Sequence, residues 1–234
     1  MGVIFSTFLG LPRPLWQALA LSLRLAAVTT AVLAVVGLPL AQWLNTTRWR
    51  IAPFLETLVA LPIVLPPTVI GFYALVAFSP AHAPGSWWRA VTGSSLAFTF
   101  SGLVAASVVY SLPFAVQPFQ AALRAVQSDY LDAGSALGAS PWRIWLRLHV
   151  PLAWRGISVG LLLSFAHTLG EFGVVLMIGG SIPGSTRVAS IALYDEVQAL
   201  NYSQANGFAL VLLGLAFAIL LIVTLLQRRA FRLH

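Results

Sequence analysis

The chain has 234 residues, 59% of them apolar and 8% charged, where roughly 25% charge is usual in a soluble domain. So few charges cannot cover a soluble fold of this size, and four uncharged runs (25–47, 57–88, 90–123 and 197–227) each reach the roughly 20 residues that cross a bilayer. The absence of cysteine excludes disulfides, thiolate metal sites and a cysteine nucleophile; the absence of lysine excludes a self-contained P-loop ATPase, whose lysine must reach the nucleotide phosphates.

The sequence therefore reads as an all-α integral membrane protein with about five spans, roughly 16–43, 53–78, 95–119, 153–178 and 206–227. The net charge of +7 comes from 13 arginines, mostly at the ends of apolar segments, as membrane-flanking anchors would be and nucleic-acid contacts would not. Residues 1–15 lack a basic leader and a small-residue cleavage site, so they are taken as a short outer segment before a retained first span. That span carries one charge, Arg24. Segment 44–52 is short and holds Arg48 and Arg50. In the second span, LPIVLPPTV places Pro62, Pro66 and Pro67 near the middle, followed by Thr68. Each proline removes an N–H and crowds the carbonyl four residues back, so this helix must kink or open. Opened backbone in lipid is tolerated against protein or a water-filled path, which makes these residues pathway candidates. Segment 79–94 is rich in Pro, Gly and Ser, with Trp87 and Trp88 suited to the membrane interface.

Residues 128–151 read SDYLDAGSALGASPWRIWLRLHVP. Ser128 suits an N-cap, Asp129 and Asp132 the positive end of a helix, and Gly138 a C′ position. Ser140 then caps a second helix with Pro141 at its first position. Two short helices projecting from the membrane are expected, the first exposing Ala133, Gly134, Ser135 and Ala136 to a close-approaching partner. The fourth span carries Gly156-Ile157-Ser158-Val159-Gly160, a literal G-x-S-x-G. A nucleophile elbow needs a strand–turn–helix, and this is an apolar helix, so a small-xxx-small packing face is the better reading. His167 and Glu171 follow, four apart on one expected helix face. Two such groups do not make a metal site, and the other histidines fall in loops or at the end of the chain. An intramembrane charge calls for a partner, and helix-rise arithmetic puts Arg24 and Glu171 at similar depth. A pair between them, within or across subunits, is expected to hold a gate. Segment 179–205 begins GGSIPGSTR and continues as a short interfacial helix through Ile191, Tyr194 and Val197.

Nine arginines (48, 50, 124, 143, 147, 155, 228, 229 and 232) fall on one set of loops and three (13, 89 and 187) on the other. The positive-inside rule then puts the N-terminus outside and both segment 120–152 and the tail 229–234 in the cytoplasm.

The 128–151 spacing resembles the E-A-A, three residues, Gly, nine residues, I-x-L-P element of type I ABC importer permeases. Asp132, Ala133 and Gly134 take the E-A-A positions, Gly138 the glycine, and Leu148, Val150 and Pro151 the I-x-L-P positions. Ala133, Gly138 and Pro151 are identical to that pattern. LPIVLPPTVIGFYAL, LGEFG at 169–173 and IPGSTR at 182–187 are similar to the molybdate branch of that family, with tungstate and sulfate carriers as neighbours. The resemblance covers about 16–228 and implies a single permease domain there. It implies a homodimer with the path between two copies, in the inner membrane of a bacterium, and a periplasmic oxyanion-binding protein that delivers substrate. It implies two ATPase subunits that hold ATP-Mg, with 128–151 as the coupling element docking on them and no cofactor or catalytic residue in this chain. The rival class is an ion-coupled secondary transporter using Glu171 and His167.

Overall fold

The computed structural model describes residues 13–231. Part of the outer segment 1–15 and the end of the tail 229–234, including Arg232, lie outside the described residues.

The chain is a succession of helices: α1 (Arg13–Thr46), α2 (Ala52–Ala60), a 3-10 turn (Leu61–Ile63), α3 (Pro67–Phe78), α4 (Gly85–Thr92), α5 (Phe100–Arg124), α6 (Ser128–Ala136), α7 (Pro141–Ile144), a π turn (Trp145–His149), α8 (Val150–Gly170), α9 (Gly173–Gly179), α10 (Ala189–Gln198) and α11 (Tyr202–Phe231). Four stretches are long and apolar enough to cross a membrane: Pro14–Thr46, Phe100–Arg124, Pro141–Gly170 and Tyr202–Arg228. Among the described residues a fifth candidate is the pair Ala52–Ile63 and Pro67–Phe78, which is apolar enough as a unit but bent by 110° at its break.

That bend is the kink expected from the prolines. Pro66 precedes Pro67, and the ring of a proline pushes the residue before it out of the helical region. Pro66 accordingly takes ψ 135°, and Pro67 opens α3 as its first residue, where no N–H is missed. The bend shelters a cavity of about 530 Å³ whose lining, including Pro62, Ile70, Phe78 and Val109, is almost wholly apolar.

Two other spans differ from their expected bounds. The third starts at Phe100 rather than near 95, because the Thr99 hydroxyl caps the helix by accepting from the Gly102 N–H at 3.2 Å. The fourth ends at Gly170 rather than 178, and Glu171 already has extended backbone. The second short helix expected in 128–151 is also not free-standing. It runs through the π turn directly into α8, making one helix of 30 residues. Pro151 explains the π turn: its ring crowds the carbonyl of Arg147 and it has no N–H to give, so the turn before it widens. Of the two expected caps, only Ser140 holds the cap position. Gln127, not Ser128, is the residue before α6, and neither it nor Ser140 makes a side-chain cap bond.

Three apolar clusters hold the bundle together. One joins α1, α5 and α8 through Leu33, Leu44, Val116, Phe119, Leu123 and Ile157. A second joins α3, α5, α9 and α10 through Phe78, Leu103, Val174, Ile178 and Ile191. A third packs the start of α1 against α10 and α11 through Leu15, Leu19, Ala192 and Phe208. The packing face expected in α8 is present: a Cβ at Gly160 would come within 2.8 Å of the Phe119 ring, and one at Gly156 within 2.5 Å of Ala122. Leucine at Gly160 should overpack this seam and cost about 1–3 kcal/mol. It is expected to lower the detergent melting temperature, which calorimetry in micelles would measure.

The ends of the helices sort the arginines. Asn45 donates to the Gln120 carbonyl at 3.1 Å, Arg124 donates to Asn45 at 2.6 Å, and His149 bonds the Leu123 carbonyl at 3.0 Å. The ends of α1 and α5 and the start of α8 therefore share one end of the bundle. Ala189 donates to Ser22 at 2.7 Å, placing the 182–187 loop at the opposite end with the start of α1.

Candidate functional site

A cavity of about 630 Å³ opens where α3, α5, α8 and α9 converge, and Pro67, Thr68, Tyr110, His167, Glu171 and Met177 are among the residues lining it. Pro67 and Thr68 arrive from the bend of the second span. His167 comes from the last turn of α8. Glu171 comes from the break that follows, so it reaches the cavity from a non-helical residue and not from the helix face shared with His167. The close approach of α9 to α3 closes one wall: a Cβ at Gly173 would lie 2.7 Å from Pro67 Cβ.

His167 is tightly held. Its Nδ1 pairs with Ser111 Oγ at 2.9 Å, and the same hydroxyl pairs with Thr168 Oγ1 at 2.9 Å. The ring stacks on Phe114 at 3.9 Å between centroids, with Tyr110 on its flank at 4.8 Å. Glu171 is the opposite case. It is only 5% exposed, yet neither carboxyl oxygen has a hydrogen-bond partner. The hydroxyl of Ser107 lies beside it and is also unpartnered. The backbone of Glu171, by contrast, is fixed, because its carbonyl accepts from Ser190 of α10 at 2.6 Å. The 180–188 loop delivers that contact. Gly180 and Gly184 take φ of 58° and 74°, and Thr186 ties the loop back on the Gly179 carbonyl at 2.6 Å. Arg187 beside it is engaged by Asp195 at 2.9 Å and Glu196 at 3.8 Å.

The expected pair of Arg24 and Glu171 does not form within the chain. Arg24 is exposed on α1 with its guanidinium 4.6 Å above the Phe100 ring, where an aromatic face satisfies the cation. Leucine at both positions should change detergent stability additively, within about 0.5 kcal/mol. Recovery of stability in the double variant would restore the pair.

Of the other candidates, Pro62 lines the apolar cavity and Pro66 forms the hinge itself. Ser158 donates to the Trp154 carbonyl at 2.9 Å, while the histidine of that helix is engaged by Ser111. Among the described residues no three His, Asp or Glu side chains group as metal ligands would.

In the 128–151 segment, Gly138 has φ 75° and closes α6 as a C′ glycine, its N–H bonding the Ser135 carbonyl at 2.9 Å. Asp132 and Ala133 are exposed, as is Pro151 at the start of α8. Gly134 is not part of that open face. It is buried, and a Cβ there would meet Leu148 of the π turn at 2.8 Å, so its smallness serves contact with this chain's own helix. The exposed large apolar side chains of the segment are instead Tyr130 at 55%, Leu137 at 88%, Trp142 at 65% and Leu146 at 45%.

Sequence reasoning missed Ser107, Tyr110, Ser111, Thr168 and Ser190. The spacing of Ser107, Tyr110, Ser111 and Phe114 was a usable signal, since hydroxyls three and four apart in an apolar span mark one inward face.

Residues 33–232 match the binding-protein-dependent transport system inner membrane component family. The chain is 49% identical over 192 residues to the molybdenum transport system permease protein ModB of Azotobacter vinelandii, covering 82% of this chain and 85% of that one. Its identity to the protein of the same name from Escherichia coli K12 is 33% over 216 residues, covering 92% and 94%. A bacterial ABC transporter involved in the import of the acidic polysaccharide alginate superposes with a TM-score of 0.75 at 17% identity, covering 98% of this chain and 84% of that chain.

Proposed function

The chain belongs to the family of binding-protein-dependent transport system inner membrane components, and we propose that it is the permease subunit of an ATP-driven molybdate importer. The observation that carries the reading is the cavity at the break between α8 and α9, together with the 49% identical molybdenum permease. An oxyanion crossing a membrane needs polar groups to replace its water. The apolar cavity under the bend offers almost none. The cavity at Glu171 offers the Thr68 hydroxyl, the Tyr110 phenol and the His167 ring. No arginine is among the residues lining it, so nothing there holds a dianion by charge, and the site suits brief passage and gating rather than storage. Two copies would enclose the path, and the substrate would arrive on a periplasmic binding protein. The arginine-rich end, which carries Arg48, Arg124 and Arg147, faces the cytoplasm in this reading. The exposed 128–142 surface would dock on two ATPase subunits.

The test is uptake of labelled molybdate by the chain reconstituted with its companion ATPase and binding protein, with tungstate and sulfate as competitors. ATP-dependent uptake is expected, with molybdate displaced last by sulfate. Uptake driven by a proton gradient without ATP would overturn the reading in favour of a secondary transporter.

A further inference from the structure

Helix α4 (Gly85–Thr92) lies in the connection between α3 and α5 and is not used by the transport site. At about 100° per residue, Ala90, Trp87, Val91 and Trp88 occupy one continuous arc of roughly 160°, and Thr92, Arg89 and Ser86 the rest. The apolar arc is uncovered: Trp87 is 70% exposed and Val91 86%, and of the opposite side only Gly85 is buried. Such a face is unfavourable in water. The helix is nevertheless firmly placed. Gly85 is buried against the backbone of Phe78 and Ser79, where α3 ends, and a side chain there would strike the carbonyl oxygens of both residues. Gly93 closes α4 with φ 74°, its N–H bonding the Arg89 carbonyl at 2.8 Å. The attachment fixes α4 at the mouth of a membrane span, within reach of the bilayer surface.

We propose that α4 is a membrane-surface anchor, with Trp87, Trp88 and Val91 seated in the interfacial layer of the bilayer and Arg89 turned to lipid phosphate. Three observations select lipid as the occupant. The helix is continuous with a span. Two tryptophans stand side by side, and their ring with one polar N–H suits the headgroup layer. Arg89 is exposed and makes no ion pair among the described residues, leaving its charge for an anionic headgroup. Anchored in this way, α4 would hold the end of α3, and with it Thr68 and the bend, at a set height in the membrane.

The chain has no cysteine, so single cysteines can carry nitroxide labels without background. Val91→Cys and Arg89→Cys would be compared in the full chain, reconstituted in discs of phosphatidylethanolamine and phosphatidylglycerol. Collisions with oxygen, which partitions into lipid, and with a water-soluble nickel chelate would be measured at each. The expected result is a higher oxygen-to-nickel ratio at position 91 than at 89. Equal ratios, or nickel dominant at 91, would place the face in water and overturn the proposal. Protection of 91 from both reagents would show a second copy or another protein on the face and overturn it equally. Trp87→Cys supplies an independent second position on the same arc.

Discussion

Methionine in place of Glu171 is expected to leave the protein at least as heat-stable as before while lowering molybdate uptake about tenfold or more. The carboxyl has no hydrogen-bond partner within the chain while almost fully buried. An unsatisfied buried polar group costs about 1–3 kcal/mol, and an apolar side chain of similar length removes that cost. If Glu171 instead served a structural pair, breaking the pair from one side would cost about 3–5 kcal/mol. Melting of the reconstituted complex separates the two cases, and uptake measured on the same sample reads the functional role. A stable variant with undiminished uptake would remove Glu171 from the pathway. A strongly destabilised variant would show that the second copy supplies the missing partner. Gln in place of Glu171 keeps the shape and removes the acid, so an equal loss of uptake would identify the acid as the group that matters.

The sequence carried the spans because their apolar length is a property of composition alone, which tertiary contacts do not alter. It carried the bend for a related reason: a missing N–H and a fixed ring act locally at Pro62, Pro66 and Pro67. It was less informative where local and long-range terms compete. The sequence predicts span four through 178 because apolar residues flank Glu171 on both sides, although Gly170 and Gly173 around it are a legible breaker signal. Of the seven pathway candidates, Pro67, Thr68, His167 and Glu171 line one cavity. Depth arithmetic placed Arg24 and Glu171 at one level but said nothing about rotation around the helix axis. Within the chain, rotation turns Arg24 onto Phe100. Ser190 was not legible at all, since its bond to the Glu171 carbonyl spans 19 residues and depends on the path of the 180–188 loop.

Leu137 and Gly138 should separate docking from insertion. Leu137 is 88% exposed at the end of α6, on the surface proposed to dock on the ATPase subunits. Leu137→Asp is expected to weaken ATPase association by about 2 kcal/mol, or roughly 30-fold, the size of an interface hot spot. Insertion and folding should be unchanged, because the side chain touches little of its own chain. Gly138 acts through the backbone instead. Nothing lies within 4 Å of a Cβ added there, so steric contact inside the chain is not at issue, but φ is 75°. Valine holds that conformation only at a strain of about 1–3 kcal/mol, whereas asparagine enters it readily. Gly138→Val should therefore lower transport-linked ATP hydrolysis in the complex while the protein remains inserted, and Gly138→Asn should retain most of it. Equal hydrolysis by both variants would mean that the left-handed turn does not set the docking geometry. Normal hydrolysis by Leu137→Asp as well would move the ATPase contact away from the end of α6 altogether.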